Sequence, residues 1–271
     1  MEIIDAHVHA LPRGEMCGGK VDARLETVLA ALQSRGIERA ILVPINDISW
    51  QPVEEMNDFS ERVVAEHPEI VGFVDLDLSR AHYYRGIRDL EQEVVRRHEH
   101  GLRGIKVHPQ NLGLNADDWR LLAVYRLAGE IGIPVMIHCY PASGPGTLDN
   151  SHPRSIEKAV RVFHRTTFII AHLGGIPYFP YMPWLSQENV YFDNSGVMKE
   201  LLGYFGLERV RYVLEEISYD RILFGSDMPS EAMLERQLEM TRQVIPPEKQ
   251  PQVFAGNVKR LGEQFGWWEG E

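Results

Sequence analysis

Residues 3–9 read Ile3-Ile4-Asp5-Ala6-His7-Val8-His9, and the reading of this stretch decides the fold. Two branched aliphatic residues lead into an alternating segment, the pattern of a short buried strand near its end. Side chains on a strand alternate between faces, so His7 and His9 point the same way. Two imidazoles on one face at a strand end make a pair of candidate metal ligands. An H-x-H pair also arises without any ligand role, because most histidines sit on surfaces or in hydrogen-bonded cores. Its weight comes from where the later ligand-type residues fall.

Working outward, His9 is followed by a loop with Pro12, Gly14, Gly18 and Gly19. A helix then carries Leu25, Val28, Leu29 and Leu32 at helical spacing, with Asp22 as its expected N-cap and Gly36 as its stop. Short apolar runs recur at 40–44, 70–74, 104–108, 134–138, 168–172, 190–193 and 222–227. Helical sequence follows at about 54–66 and 83–99, from Asn115 or Asp117 to Gly132, and then near 155–165, 207–217 and 257–264. Pro177, Pro180 and Pro183 restrict their region to short helical turns. Runs that are apolar on both faces suit parallel strands with right-handed helical crossovers. Eight such units, roughly 25–35 residues apart, predict an α/β protein with a single (β/α)8 TIM barrel domain over residues 1–271. An open doubly wound sheet is the alternative, but the first turn lacks the G-x-G-x-x-G of a dinucleotide fold.

Composition sets the outer limits. The chain has 271 residues, 44% of them hydrophobic and 25% charged, as in an ordinary globular protein. A net charge of −11 argues against nucleic acid as a partner, which needs a basic face. Cys17 and Cys139 form no C-x-x-C pair, so a disulfide framework is not expected. Without a basic leader or an apolar stretch of membrane-spanning length, the expectation is a cytoplasmic protein with a small-molecule substrate and no membrane partner. The aromatic tail Phe265, Trp267 and Trp268 either forms a homodimer contact or covers the barrel bottom.

The placement of polar residues then points to chemistry. His7 and His9 end the first strand, Lys106 and His108 the fourth, His138 the fifth, His172 the sixth and Asp227 the eighth. In a barrel, all strand C-termini open on one face, where active sites lie. His67, His82, His98, His100 and His164 fall in charged helical or loop surroundings and read as solvated. Any one strand-end histidine could be a core residue, but the whole set at one end is costly as packing, at roughly 1–3 kcal/mol for each uncompensated group. Imidazoles and a carboxylate suit Zn²⁺, with Mn²⁺, Fe²⁺ or Co²⁺ as alternatives. Cys139 follows His138 immediately and should point away from the lumen.

The runs I-D-A-H-V-H, G-I-K-V-H-P, P-V-M-I-H-C, I-I-A-H-L-G-G, Y-F-D-N-S-G and L-F-G-S-D-M-P together resemble the amidohydrolase superfamily, most closely its amidohydrolase-related (amidohydrolase 2) metal-dependent hydrolases. The resemblance covers essentially the whole chain. It implies a barrel with a mono- or binuclear centre in which His7, His9, His138 and Asp227 bind metal. It also implies that His172 binds a second metal or contacts substrate and water, and that Asp227 carries protons. A fourth-strand lysine is carboxylated and bridges two metals in some superfamily members. Lys106 is expected instead to remain unmodified beside a single metal, near Asp5 or the substrate, with His108 also contacting substrate. Asp193 is expected to orient a ligand or tie down its loop. The function implied is hydrolysis of an amide, lactone or ester of a small carboxylic acid. Non-oxidative decarboxylation or hydration by the same superfamily is the alternative, and a catalytically silent metal-binding barrel is the third reading. Arg13 and Lys20 are the candidates for anchoring a second substrate carboxylate.

Overall fold

Eight parallel strands carry the framework: β1 (Ile3–Val8), β2 (Ile37–Leu42), β3 (Ile70–Gly72), β4 (Ile105–Val107), β5 (Val135–His138), β6 (Phe168–Ala171), β7 (Val190–Asp193) and β8 (Ile222–Leu223). They belong to a computed structural model that describes residues 1–16, 18–46, 51–78, 84–141 and 148–268. Cys17, His82 and most of the Gly- and Pro-rich loop after β5 lie outside the described residues.

Strands β1–β2–β3 pair in sequence order, as do β4 to β8. Backbone hydrogen bonds join the two groups at both seams. Val74, just beyond β3, bridges Ile105, with Val74 N donating to Gly104 O at 2.8 Å and Lys106 N to Val74 O at 3.0 Å. At the other seam Ala6 N donates to Phe224 O at 2.8 Å and Asp227 N to His7 O at 3.0 Å. The chain is an α/β TIM barrel.

Alternation along the strands sorts side chains into two layers. Ile41, Met136, Ile169 and Leu223 form an inner cluster, closed below by Val258, Leu261 and Trp267. Their strand neighbours Leu42, Ile137, Ile170 and Ile222 pack outward against helices. Cys139 sits in the outer layer, as the alternation predicts, with its thiol donating to Ser151 O at 3.5 Å. Of the two roles open to the aromatic tail, Trp267 takes that of a bottom cover: it is buried in the inner cluster, and its indole donates to Arg103 O at 3.2 Å.

Strand β1 breaks the alternation. Asp5 pairs with Ala40 and Val8 with Leu42, so three steps on β1 match two on β2. This extra residue is a β-bulge. Ile4 and Ala6 join the inner cluster and Val8 the outer one, and His7 and His9 turn to the lumen mouth beyond the bulge. Asp5 therefore does not share a face with His7, as a regular strand would require.

Helix boundaries follow local capping chemistry. The first helix runs Leu25–Gln33 behind Arg24, not behind Asp22. Asp22 ends a two-stranded ribbon, Glu15–Met16 with Val21–Asp22, and its carboxylate accepts from Arg24 N at 3.1 Å and Thr27 Oγ1 at 3.0 Å. Asp118, one residue past the predicted choices, caps Trp119–Ile131, which ends at Gly132 (φ 73°) as expected. The proline region gives only short turns at Gly175–Tyr178, Phe179–Tyr181 and Met182–Leu185. A helix at Met198–Phe205 was not foreseen. No helix among the described residues is long and apolar enough to cross a membrane.

Candidate metal centre

A cavity of about 410 Å³ opens at the C-terminal ends of the strands and is bordered by His7, His9, Lys106, His108, His138, His172 and Asp227. Every strand-end site residue expected from the sequence lines it, whereas the candidate anchors Arg13 and Lys20 do not. A larger hollow of about 530 Å³ lies at the opposite barrel end beside Arg103 and Trp268. It contains His100, which already faces Glu61 at 3.1 Å, but none of the strand-end histidines.

Hydrogen bonds behind the ring set the tautomer of each histidine. His9 Nδ1 lies 2.7 Å from Val43 O, and a carbonyl can only accept, so His9 keeps its Nε2 lone pair for the cavity. His7 Nδ1 donates to Asp193 Oδ2 at 2.9 Å, which likewise frees Nε2. His138 Nε2 donates to Tyr140 O at 2.9 Å, and His172 Nδ1 to Ser195 O at 3.1 Å. This leaves His138 Nδ1 and His172 Nε2 facing each other at 2.9 Å, both as acceptors when both rings are neutral. The His7 lone pair faces the Lys106 amine at 3.1 Å, while those of His9, His138 and His172 face a carboxylate or one another and favour a proton or a cation among them.

The carboxylate is Asp227. Its Oδ1 lies 3.3 Å from His9 Nε2 and 3.7 Å from His7 Nε2, so these three residues form a compact ligand group. His138 borders the same cavity but falls outside that group, its Nδ1 turned to His172. A second group joins His7, His172 and Asp193, in which Asp193 is already occupied: it accepts from the His7 ring, from His172 N at 3.0 Å and from Ser195 N at 3.0 Å. The donor set fits a divalent transition ion.

Electrostatics keep these groups in the ligand-competent state. Burial pushes the His7, His108 and His138 rings well below the ordinary imidazole range, so they stay neutral. Burial would raise the pKa of Asp227, but the facing imidazoles of His172, His9 and His7 outweigh it and hold the carboxyl well below its usual range. Burial lowers Lys106 to about 8, with Asp193 and Asp227 opposing the shift. Its Nζ reaches His7 Nε2 at 3.1 Å, not Asp5. Asp5 instead accepts from His7 N at 3.1 Å and Ser226 N at 2.9 Å, a consequence of the bulge. His108 stacks on His138 with centroids 3.6 Å apart, and its Nδ1 accepts from Asn111 N at 3.2 Å, which leaves Nε2–H for a ligand.

The backbone is strained where the chemistry sits. Asp227 and His172 both adopt φ 63°, and Leu173 adopts φ 46°. Gly196 (φ +67°) lies so close to Asp227 that a Cβ there would stand 2.8 Å from Oδ2. Sequence reasoning missed Ser195, whose hydroxyl reaches His7 Nδ1 at 3.1 Å and His172 Nδ1 at 2.9 Å. Its role arises from the bend after β7, and no spacing rule reveals it.

A family model described as amidohydrolase matches residues 4–261. No curated protein matches the chain by sequence. Among solved structures, the chain is similar to a TIM-barrel protein from Bordetella bronchiseptica, with TM-score 0.78, 19% identity and coverage of 98% of this chain and 100% of that one. It is also similar to a protein from Pseudomonas putida described as a 2-pyrone-4,6-dicarboxylic acid hydrolase, with TM-score 0.70, 20% identity and coverage of 100% and 99%. A dihydroxybenzoic acid decarboxylase from Polaromonas sp. JS666, solved with bound manganese, aligns with TM-score 0.71, 17% identity and coverage of 97% of each chain. At these identities the likeness establishes the fold.

Proposed function

The chain belongs to the amidohydrolase family, and from that premise we propose that it is a metal-dependent hydrolase acting on an amide, lactone or ester of a small carboxylic acid. The observation that carries this reading is the set of inward lone pairs on His7, His9, His138 and His172 around the Asp227 carboxylate. His7, His9, His138 and Asp227 would hold the ion, with Zn²⁺ preferred on ligand type and Mn²⁺, Fe²⁺ or Co²⁺ alternatives. When bound, a divalent ion lowers the pKa of a coordinated water to about 7 and polarises a carbonyl.

The protein's own groups supply the rest. Asp227, held ionised, accepts the proton of the attacking water and returns it to the leaving group. His108 Nε2–H donates to the substrate, and His172 hydrogen-bonds substrate or water from the opposite wall. Lys106 stays an amine or ammonium against His7 and borders the bound substrate. Asp193 and Ser195 do not react: they orient the His7 and His172 rings. Residues 1–271 act as one barrel domain on a small cytoplasmic substrate, and a homodimer is compatible with this arrangement.

A second reading, metal-dependent decarboxylation or hydration, draws support from the decarboxylase that shares the fold. One experiment separates the two. Protein reconstituted with Zn²⁺ or Mn²⁺ is assayed on lactones, amides and esters and, in parallel, on hydroxybenzoates, with acid release and CO₂ release followed separately. Hydrolysis that disappears with chelator supports the proposal. CO₂ release without hydrolysis, or full hydrolysis in metal-free protein, overturns it.

A further inference from the structure

We propose that Glu200 gives the cavity a charge preference, so that the substrate group lying beside Glu200 is cationic or neutral and not a carboxylate. This rests on the reading of the cavity as a metal-bearing site. Around the polar floor the walls are apolar, formed by Met16, Val21, Ile45, Val197, Pro229 and Met233. Glu200 borders the same space, is exposed, and makes no ion pair or side-chain hydrogen bond among the described residues.

No cation on the described walls balances it. Lys106 is the only lining cation among the described residues, and it is 1% exposed and held against His7. Arg13, a candidate anchor for a carboxylate, is turned away and binds Glu55 through two hydrogen bonds of 3.2 and 2.8 Å. Lys20, the other candidate, is exposed at the tip of the two-stranded ribbon and does not border the cavity. An acid in the first turn of Met198–Phe205 also favours that helix, wherever its carboxylate points. What assigns Glu200 a further role is its unpaired charge on the border of a cavity whose described walls offer no cation to offset it. A carboxylate entering there meets a like charge with no partner. A quaternary or primary ammonium meets its complement.

The test reads binding, independent of turnover. Metal-loaded protein is titrated by calorimetry with three hydroxamic acids of equal chain length that end in trimethylammonium, tert-butyl or carboxylate. The trimethylammonium compound should bind about tenfold more tightly than the carboxylate compound, with the tert-butyl isostere between them. Glu200→Gln should shrink the ratio between the charged compounds toward one, and Glu200→Lys should invert it. Equal or tighter binding of the carboxylate compound by the wild type, or a ratio unchanged in Glu200→Gln, overturns the proposal. If the protein takes up neither Zn²⁺ nor Mn²⁺, the metal-site reading fails and the charge preference falls with it; if the metal-loaded protein binds none of the three, the charge preference alone is overturned.

Discussion

At the C-terminal ends of the strands, five imidazoles, a lysine and a carboxylate border one cavity, whereas at the N-terminal ends Phe73, Phe265 and Trp267 fill the ring of strands with aromatic faces. The same eight strands run through both. The lower end gains its free energy from apolar burial and tolerates no polar group without a partner. The upper end gathers polar groups whose remaining lone pairs point at one another, a cost that a bound ligand removes. The contrast teaches that stability and chemistry are separated along the barrel axis, and substitutions at each end should therefore report on different quantities.

The sharpest way to break that separation is at Asp227. Asp227→Asn keeps the side-chain volume but loses the proton acceptor, and turnover should fall by about 10²–10⁴-fold with circular dichroism unchanged. Metal content measured on the same sample distinguishes a lost base from a lost ligand. Near-normal turnover in a fully metallated variant would sink the assigned role. At the opposite end, Trp267→Ala should cost about 3–5 kcal/mol in urea unfolding. The folded fraction should retain its kcat/KM, and a large loss there would show that the two ends are coupled.

How much of this was legible in the sequence follows the same axis. The apolar runs located all eight strands, because strands buried on both faces need continuous hydrophobicity and tight Gly or Pro boundaries. His7, His9 and Asp227 were legible because strand ends converge whatever the loops do. Asp5 was misplaced because a bulge adds one residue without changing residue types, so the pattern I-I-D-A-H-V-H looks regular. Ser195 was invisible because its hydroxyl works only after the chain bends back beneath two rings from distant strands. The helix Met198–Phe205 hid between Gly196 and Gly206, too short to establish a period.

Smaller effects sharpen the comparison. Gly196→Ala places a methyl group against the Asp227 carboxylate and should lower kcat by about 10–100-fold through displacement of the reacting group. Unchanged kcat would mean that Asp227 has room to move. Asp75 lies beyond β3 and is buried beside Asn46 and Asn57, which pushes its carboxyl up to about 7. Its native pKa thus exceeds the unfolded value, and between about pH 4 and 7 the native state binds more protons than the unfolded chain. Its contribution to stability is therefore full below about pH 4 and is lost as pH rises through 7. Asp75→Asn should flatten that slope by on the order of 1–3 kcal/mol in denaturant titrations across this range. An identical slope in the variant would assign the pH dependence elsewhere.

The bulge in β1 makes the upper end a matter of counting. Ile4 and Ala6 face inward, and by simple alternation Val8 would follow them, leaving His7 and His9 to face the helices. One added step reverses that parity just before the two imidazoles. The same residues laid down as a regular strand would keep the composition, the apolar pattern and eight strands, yet would send both rings into the greasy layer outside the barrel. Within these few residues the chemistry is written in backbone register, which no exchange of one side chain for another would reveal.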